Sequence, residues 1–152
     1  MGTTQNNVVI AGVGPGLGAA LARKFANHGC NIGLLARNKS YLDQLVDQMA
    51  HDGQTALALP TDLADAVQIE SAFQQFTDTL GTVDILINHT SGAFWKSVME
   101  ISAEEFEISW RNGTLKRLAL QSESDTRHVE ERGGQHYFHW CHLCYPGSKR
   151  GG

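Results

Sequence analysis

The sequence predicts an α/β chain: a three-layer, doubly wound parallel sheet, incomplete after its fourth or fifth βα unit. Three observations carry this expectation. Short apolar runs recur between Val8 and Asn88, segments with helical apolar spacing alternate with them up to about Arg111, and the first run breaks into alternate glycines, V-V-I-A-G-V-G-P-G-L-G over Val8 to Gly18. A strand buried on both faces reads as continuous apolar sequence. Repeated βα units give a parallel sheet with right-handed crossovers and helices on both sides.

Strand one is read over Val8–Ala11, and a helix over Gly16 to His28 follows, with Leu17, Leu21 and Phe25 on one face and Ala20 and Lys24 beside them. Strand two covers Asn31–Ala36, and Cys30 at its start reads as a buried small hydrophobe. The next helix is expected to open on a capping box at Ser40 and Asp43 and to bury Leu42, Leu45, Val46 and Met49. Thr55–Leu59 makes strand three. A helix from about Asp65 to Leu80, marked by Ile69, Phe73, Phe76 and Leu80, ends at Gly81. Strand four is V-D-I-L-I-N, Val83–Asn88, and a capping box at Ser102 and Glu105 opens another helix with Phe106 and Trp110 on one face.

Composition narrows the class. The chain has 152 residues, 41% hydrophobic and 18% charged, with a net charge of −4, which suits one ordinary globular domain. Mild acidity and the lack of a basic stripe before Lys149 and Arg150 argue against nucleic acid as a partner. No stretch approaches the ~20 apolar residues that span a bilayer. Met1 to Asn7 is polar and lacks the apolar core of a signal peptide, so a cytoplasmic location is expected.

The glycines carry the functional argument. They let the chain turn tightly at the strand end and approach a pyrophosphate, while the following helix aims its unpaired N–H groups and positive dipole end at the phosphates. The alternative is a turn built for packing alone. Gly12, Gly16 and Gly18 form G-x-x-x-G-x-G; the pattern G-x-G-x-x-G fails from Gly12 because Leu17 stands at its third glycine, though a looser match runs from Gly14 through Gly16 to Ala19. The G-x-x-x-G-x-G form near the start of a chain resembles the short-chain dehydrogenase/reductase family, with Ala11 where that family commonly has Thr. The resemblance covers residues 8 to about 112. It implies a Rossmann-type fold and an oxidoreductase that moves hydride between a nicotinamide dinucleotide and a small carbonyl or alcohol substrate.

Carried over residue by residue, it assigns cofactor contacts to Gly12, Gly14, Gly16, Leu17, Gly18, Arg37, Asn38, Asp62, Leu63 and Asn88. Strand two ends L-L-A-R-N, so Ala36 holds the position where an acid would bind the ribose hydroxyl of NAD, and Arg37 follows. A guanidinium fork suits a 2′-phosphate, which favours NADP over NAD; a solvated surface arginine is the alternative. Asp62, in T-D-L-A-D, matches the family residue that contacts the adenine amino group, the alternative being an N-cap, for which Asp65 is the better candidate. After Asn88 the family's N-N-A-G is replaced by His89-Thr90-Ser91-Gly92, and His89 reads as a packed or solvated residue rather than a base.

The acid/base machinery is where the pattern departs. The family needs a Tyr, a Lys four residues later and a Ser upstream. Asn112 matches a proton-relay Asn, and Tyr145 and Lys149 have the right spacing, but Tyr145-Pro146-Gly147-Ser148-Lys149 is hostile to the helix the pair requires and no Ser lies a dozen residues upstream. The match is read as coincidence, and the chain is expected to be catalytically incompetent.

From Lys116 onward the βα grammar stops, with no Val- or Ile-rich run and four of the seven His and two of the three Cys, which divides the chain into a nucleotide-binding domain over 1–112 and an aberrant, poorly ordered tail over 113–152. The tail's His136, His139, Cys141, His142 and Cys144 are rich in zinc-type ligands but lack the loop of a normal finger, so no metal site is assigned; a zinc-binding tail, or a nucleotide-binding remnant without enzymatic role, is the alternative function. Read one base out of frame, the codons permitted by Gly134 to His142 allow an apolar strand ending T-G-A-T, which resembles the family's fifth strand. A frameshift near residues 112–118 is therefore expected. With the helix from Ser102 cut short, oligomerisation is disfavoured.

Overall fold

The computed structural model describes residues 5–90, 96–97, 99–110, 119–120 and 136–139. They form β1 (Asn7–Ala11), α1 (Leu17–Asn27), β2 (Asn31–Ala36), α2 (Lys39–His51), β3 (Ala56–Pro60), α3 (Ala66–Leu80), β4 (Ile85–Asn88), α4 (Ala103–Trp110) and β5 (His136–His139). The five strands make one sheet in the order β3-β2-β1-β4-β5, all neighbours parallel.

Alternation along β1 explains the layers. Val8 and Ile10 pack into one core with Ile32, Leu34, Leu42, Leu45 and Met49, while Val9 and Ala11 pack into a second core with Leu35, Leu59, Ile69, Phe73 and Phe76. Successive strand side chains point to opposite faces, so a strand apolar at every position needs cover on both sides. α1 and α2 supply it on one side and α3 on the other. Gly33 of β2 makes room for this packing: a Cβ there would lie 2.7 Å from a ring carbon of Phe76.

Several local expectations change. α1 buries Gly18, Ala19, Ala22 and Ala26, whereas Leu17 is exposed and Leu21 and Phe25 are only partly covered. Small residues let the helix backbone approach the sheet, so they take the inner face. The capping box at Ser40 and Asp43 does not form. Asn38 caps α2, its side chain accepting from the Tyr41 N–H at 3.1 Å, while Asp43 pairs with Lys39 across an exposed helical turn. The box at Ser102 and Glu105 does form, with reciprocal 3.1 Å bonds, and Asp65 caps α3. Gly81 ends α3 with φ +95°, the left-handed region glycine tolerates.

Beyond residue 116, where the sequence shows no Val- or Ile-rich run, the structure places one buried side chain and one strand. Leu120 is fully buried in the second core. His136–His139 adds a fifth parallel strand, with His136 opposite Ile85 and His139 opposite Asn88. β4 offers a row of unpaired backbone groups, and His-Tyr-Phe-His, with two aromatic residues of high strand preference at its centre, can satisfy them without Val or Ile. Among the described residues no helix is long and apolar enough to cross a membrane.

Candidate functional site

A parallel sheet puts the carboxyl ends of its strands along one edge. The order reverses between β1, whose successors run toward β3, and β4, which lies on its other side. Loops leaving such a reversal in opposite directions open a crevice, the usual ligand position in sheets of this type.

The β1–α1 turn forms one wall. Gly12 and Val13 donate to the Leu35 carbonyl at 2.9 and 3.1 Å, which bends the chain off the end of β1. Gly12 has φ +93°, and a Cβ on it would meet the His89 carbonyl oxygen at 2.5 Å; one on Gly18 would meet the Val13 Cα at 2.9 Å. These two glycines serve close packing of the turn against the loop after β4 and of α1 against its own strand. Gly14 and Gly16 differ, since a Cβ on either would have no heavy atom of the described residues within 4 Å. Their open side is the surface a ligand can approach.

α1 begins at this surface without help. Its N-cap, Gly16, offers no side-chain hydrogen bond, whereas Asn38, Asp65 and Ser102 cap the other three described helices. Among the described residues no acceptor lies against the N–H groups of Leu17 and Gly18. Unpaired helix N–H groups with the positive end of the dipole behind them favour an anion. The donor set fits a diphosphate.

The other walls come from the loops after β2, β3 and β4. Arg37, immediately beyond β2, is exposed, and its guanidinium has no partner among the described residues. Its neighbour Asn38 is occupied as the cap of α2. Asp62 is half-buried, and its Oδ1 accepts from the Ala64 N–H at 2.9 Å. Leu63 lies in the second core at 8% exposure, so it positions the loop by packing. Asp65, not Asp62, caps α3; bonds from Gln68 and Val67 hold its carboxyl below the usual value. Asn88 is buried, and its Oδ1 accepts from both the N–H and the hydroxyl of Thr90, at 3.2 and 2.8 Å. Thr90 thus rigidifies the turn where the family pattern had another residue. His89 donates its backbone N–H to Ala11 at 2.8 Å and is half-buried.

Asn112, Tyr145, Lys149, Cys141, His142 and Cys144 lie outside the described residues. Cys30 is buried, and its thiol titrates above its ordinary value, through burial first and the Asp84 carboxylate second.

Sequence reasoning missed two polar residues. Asn7 sits at the opposite edge of the sheet, its amide donating to the Leu80 and Thr82 carbonyls at 2.9 and 2.8 Å and accepting from Asn31 at 2.9 Å. It locks β1 to the α3–β4 connection. A polar residue opening an apolar strand was the available signal. The second is Gln68, on the first turn of α3 beside Asp62.

A family model described as short chain dehydrogenase matches residues 6–111. The chain belongs to that family. A fatty acyl-CoA reductase of Mycobacterium tuberculosis is 32% identical over 97 residues, 64% of this chain and 33% of the relative. Among solved structures, a short-chain dehydrogenase/reductase from Mycobacterium marinum superposes with a TM-score of 0.81 at 21% identity, covering 87% of this chain and 53% of that one. An actinorhodin polyketide ketoreductase, determined with NADPH, gives 0.80 at 18%, covering 88% and 51%. An oxidoreductase from Haemophilus influenza was determined with bound NAD. The short-chain dehydrogenase chain described here spans about a third to a half of the length of these proteins. Its family is one of oxidoreductases that bind nicotinamide dinucleotides.

Proposed function

We propose that this chain binds NADP(H) in the crevice between the β1–α1 turn and the loops after β2, β3 and β4, as the nucleotide-binding half of a carbonyl or alcohol oxidoreductase. The observation that carries the reading is Arg37. It stands exposed and unpartnered among the described residues just past the end of β2, with Ala36 in place of a carboxylate that would repel a phosphate. A guanidinium binds phosphate bidentately through charge-assisted bonds. The diphosphate would lie over Gly14 and Gly16 against the N–H groups of Leu17 and Gly18, with Asp62 toward the adenine and Asn88 and His89 on the nicotinamide side. When bound, the nicotinamide supplies or accepts the hydride in this family's chemistry.

The 152 residues as they stand are proposed to bind without turnover, because Tyr145 and Lys149 sit in the helix-hostile stretch around Pro146 and Gly147. Residues 113–152 are attributed to a shifted reading frame, which sequencing of codons 110–120 checks. Titration of the full chain with NADPH and NADH tests the cofactor reading. The expected result is preference for NADPH, reduced about 10- to 100-fold in Arg37→Gln, the range for losing hydrogen bonds to a charged group. Equal affinity of the unaltered chain for both nucleotides would refute the NADP assignment. NADPH oxidation in the presence of a ketone panel would refute the incompetence.

A further inference from the structure

The side chain of Gln68 makes an arrangement that a simple helix cap does not need. In the usual capping box the residue three places after the N-cap reaches back to the N-cap's own N–H. Gln68 is that residue for Asp65, yet the Asp65 N–H is already taken by the Asp62 carbonyl at 3.0 Å. The Gln68 Oε1 accepts instead from the Asp62 N–H at 2.9 Å, while its Nε2 donates to Asp65 Oδ2 at 3.0 Å. The Asp62 loop is therefore held at two points: Thr61 donates to the Ala36 carbonyl at 2.9 Å, at the end of β2, and Gln68 grips it from α3. Between them one oxygen of the Asp62 carboxylate is spent on the Ala64 N–H, and the other has no protein partner among the described residues.

We infer that Gln68 is a positioning residue that aims the free carboxylate oxygen of Asp62 at the exocyclic amine of an adenine base, and so sets the preference for adenine over other purines. The inference rests on the nucleotide-binding reading proposed above. Gln68 does not touch the base; it acts through the Asp62 backbone. An amide is required because one end must accept and the other donate. Glutamate, which serves equally in an ordinary capping box, would place a second carboxylate about 3 Å from Asp65 here.

The test uses the full chain and two probes, NADPH and its hypoxanthine analogue, in which an oxygen replaces the adenine amine. Binding constants are measured for the unaltered chain, Gln68→Ala, Gln68→Glu and Asp62→Ala, with a thermal melt of each. The unaltered chain is expected to prefer NADPH. Gln68→Ala and Gln68→Glu should each weaken NADPH about three- to tenfold, the scale of one lost hydrogen bond, and leave the hypoxanthine analogue within about twofold. Gln68 is exposed, so the variants should fold; increased hydrogen exchange at the Asp62 amide in Gln68→Ala reads the broken contact directly. Equal loss for both probes, or loss that follows the melting temperature, overturns the positioning role. If the unaltered chain does not discriminate between the probes, the Asp62 contact itself is wrong; if it binds neither, the nucleotide-binding reading falls with it.

Discussion

Alanine at Gly12 and alanine at Gly14 separate what the fold demands of glycine from what a ligand demands. At Gly12 the backbone holds φ +93°, and an added Cβ would sit 2.5 Å from the His89 carbonyl oxygen and 2.8 Å from its carbon. A left-handed conformation costs a non-glycine residue about 1–2 kcal/mol. Forcing the β4 loop away adds an overpacking cost of about 1–3 kcal/mol, because the contact is rigid backbone, not the end of a flexible side chain. Gly12→Ala should therefore lose about 2–5 kcal/mol. For a chain of this size that lowers the melting temperature by roughly 4–20 °C. At Gly14 no atom of the described residues lies within 4 Å of the added Cβ and φ is not positive, so Gly14→Ala should stay within about 0.5 kcal/mol. Its methyl group instead occupies the surface over which a diphosphate would lie. Paired melts and NADPH titrations of the two variants give the answer. If Gly14→Ala melts normally and binds NADPH as well as the unaltered chain, the phosphate does not sit on this turn. If Gly12→Ala melts normally, the packing account of that glycine is wrong.

Other perturbations probe the supporting framework. Asn7→Leu should cost about 1–3 kcal/mol in chemical denaturation, since it strands the Leu80 and Thr82 carbonyls and the Asn31 amide at the sheet's amino edge. Asp65 has a depressed carboxyl pKa, so its contribution to stability is complete above the unfolded value of 3.8 and is lost as pH falls through the lower folded value; Asp65→Asn, which still caps, should flatten the acid limb of the melting profile below about pH 4. Cys30, raised from 9.0 by burial, should resist alkylation at pH 8 in native protein and react on unfolding, and its contribution to stability should fade as pH rises past 9 toward the folded value. Rapid native labelling of Cys30, read by mass spectrometry after digestion, would contradict its burial.

Much of the architecture was legible because burial on two faces leaves an unambiguous trace. Val8–Ala11 and Asn31–Ala36 are apolar at nearly every position, and only a strand covered on both sides tolerates that. The caps at Asp65 and Ser102 and the stop at Gly81 were readable for a similar reason, since each is local chemistry between residues two to four apart. The cap at Asn38 shows the limit of such reading. Asn38, Ser40 and Asp43 all had suitable side chains, and the choice depended on where the chain leaves β2. The inner face of α1 failed differently: Leu17, Leu21 and Phe25 follow the helical period, but close approach to the sheet selected Gly18, Ala19, Ala22 and Ala26. β5 has no periodicity to read, because four residues opposite an open edge need only backbone groups and strand-compatible side chains.

By itself the sequence determined the βα alternation, the glycine turn and the basic residue beyond strand two, since each depends on residues adjacent in the chain. Only the tertiary structure sorted the four glycines into two that pack, Gly12 and Gly18, and two that meet no neighbour among the described residues, Gly14 and Gly16. Their neighbours in space are His89 and Val13, and a contact such as that between residues 12 and 89 leaves no mark on either one's local sequence. The same holds for Gln68, whose amide is committed to Asp62 by the Asp62 carbonyl's prior claim on the expected donor. Local propensity chooses the elements; steric and hydrogen-bond competition between distant segments assigns the tasks within them.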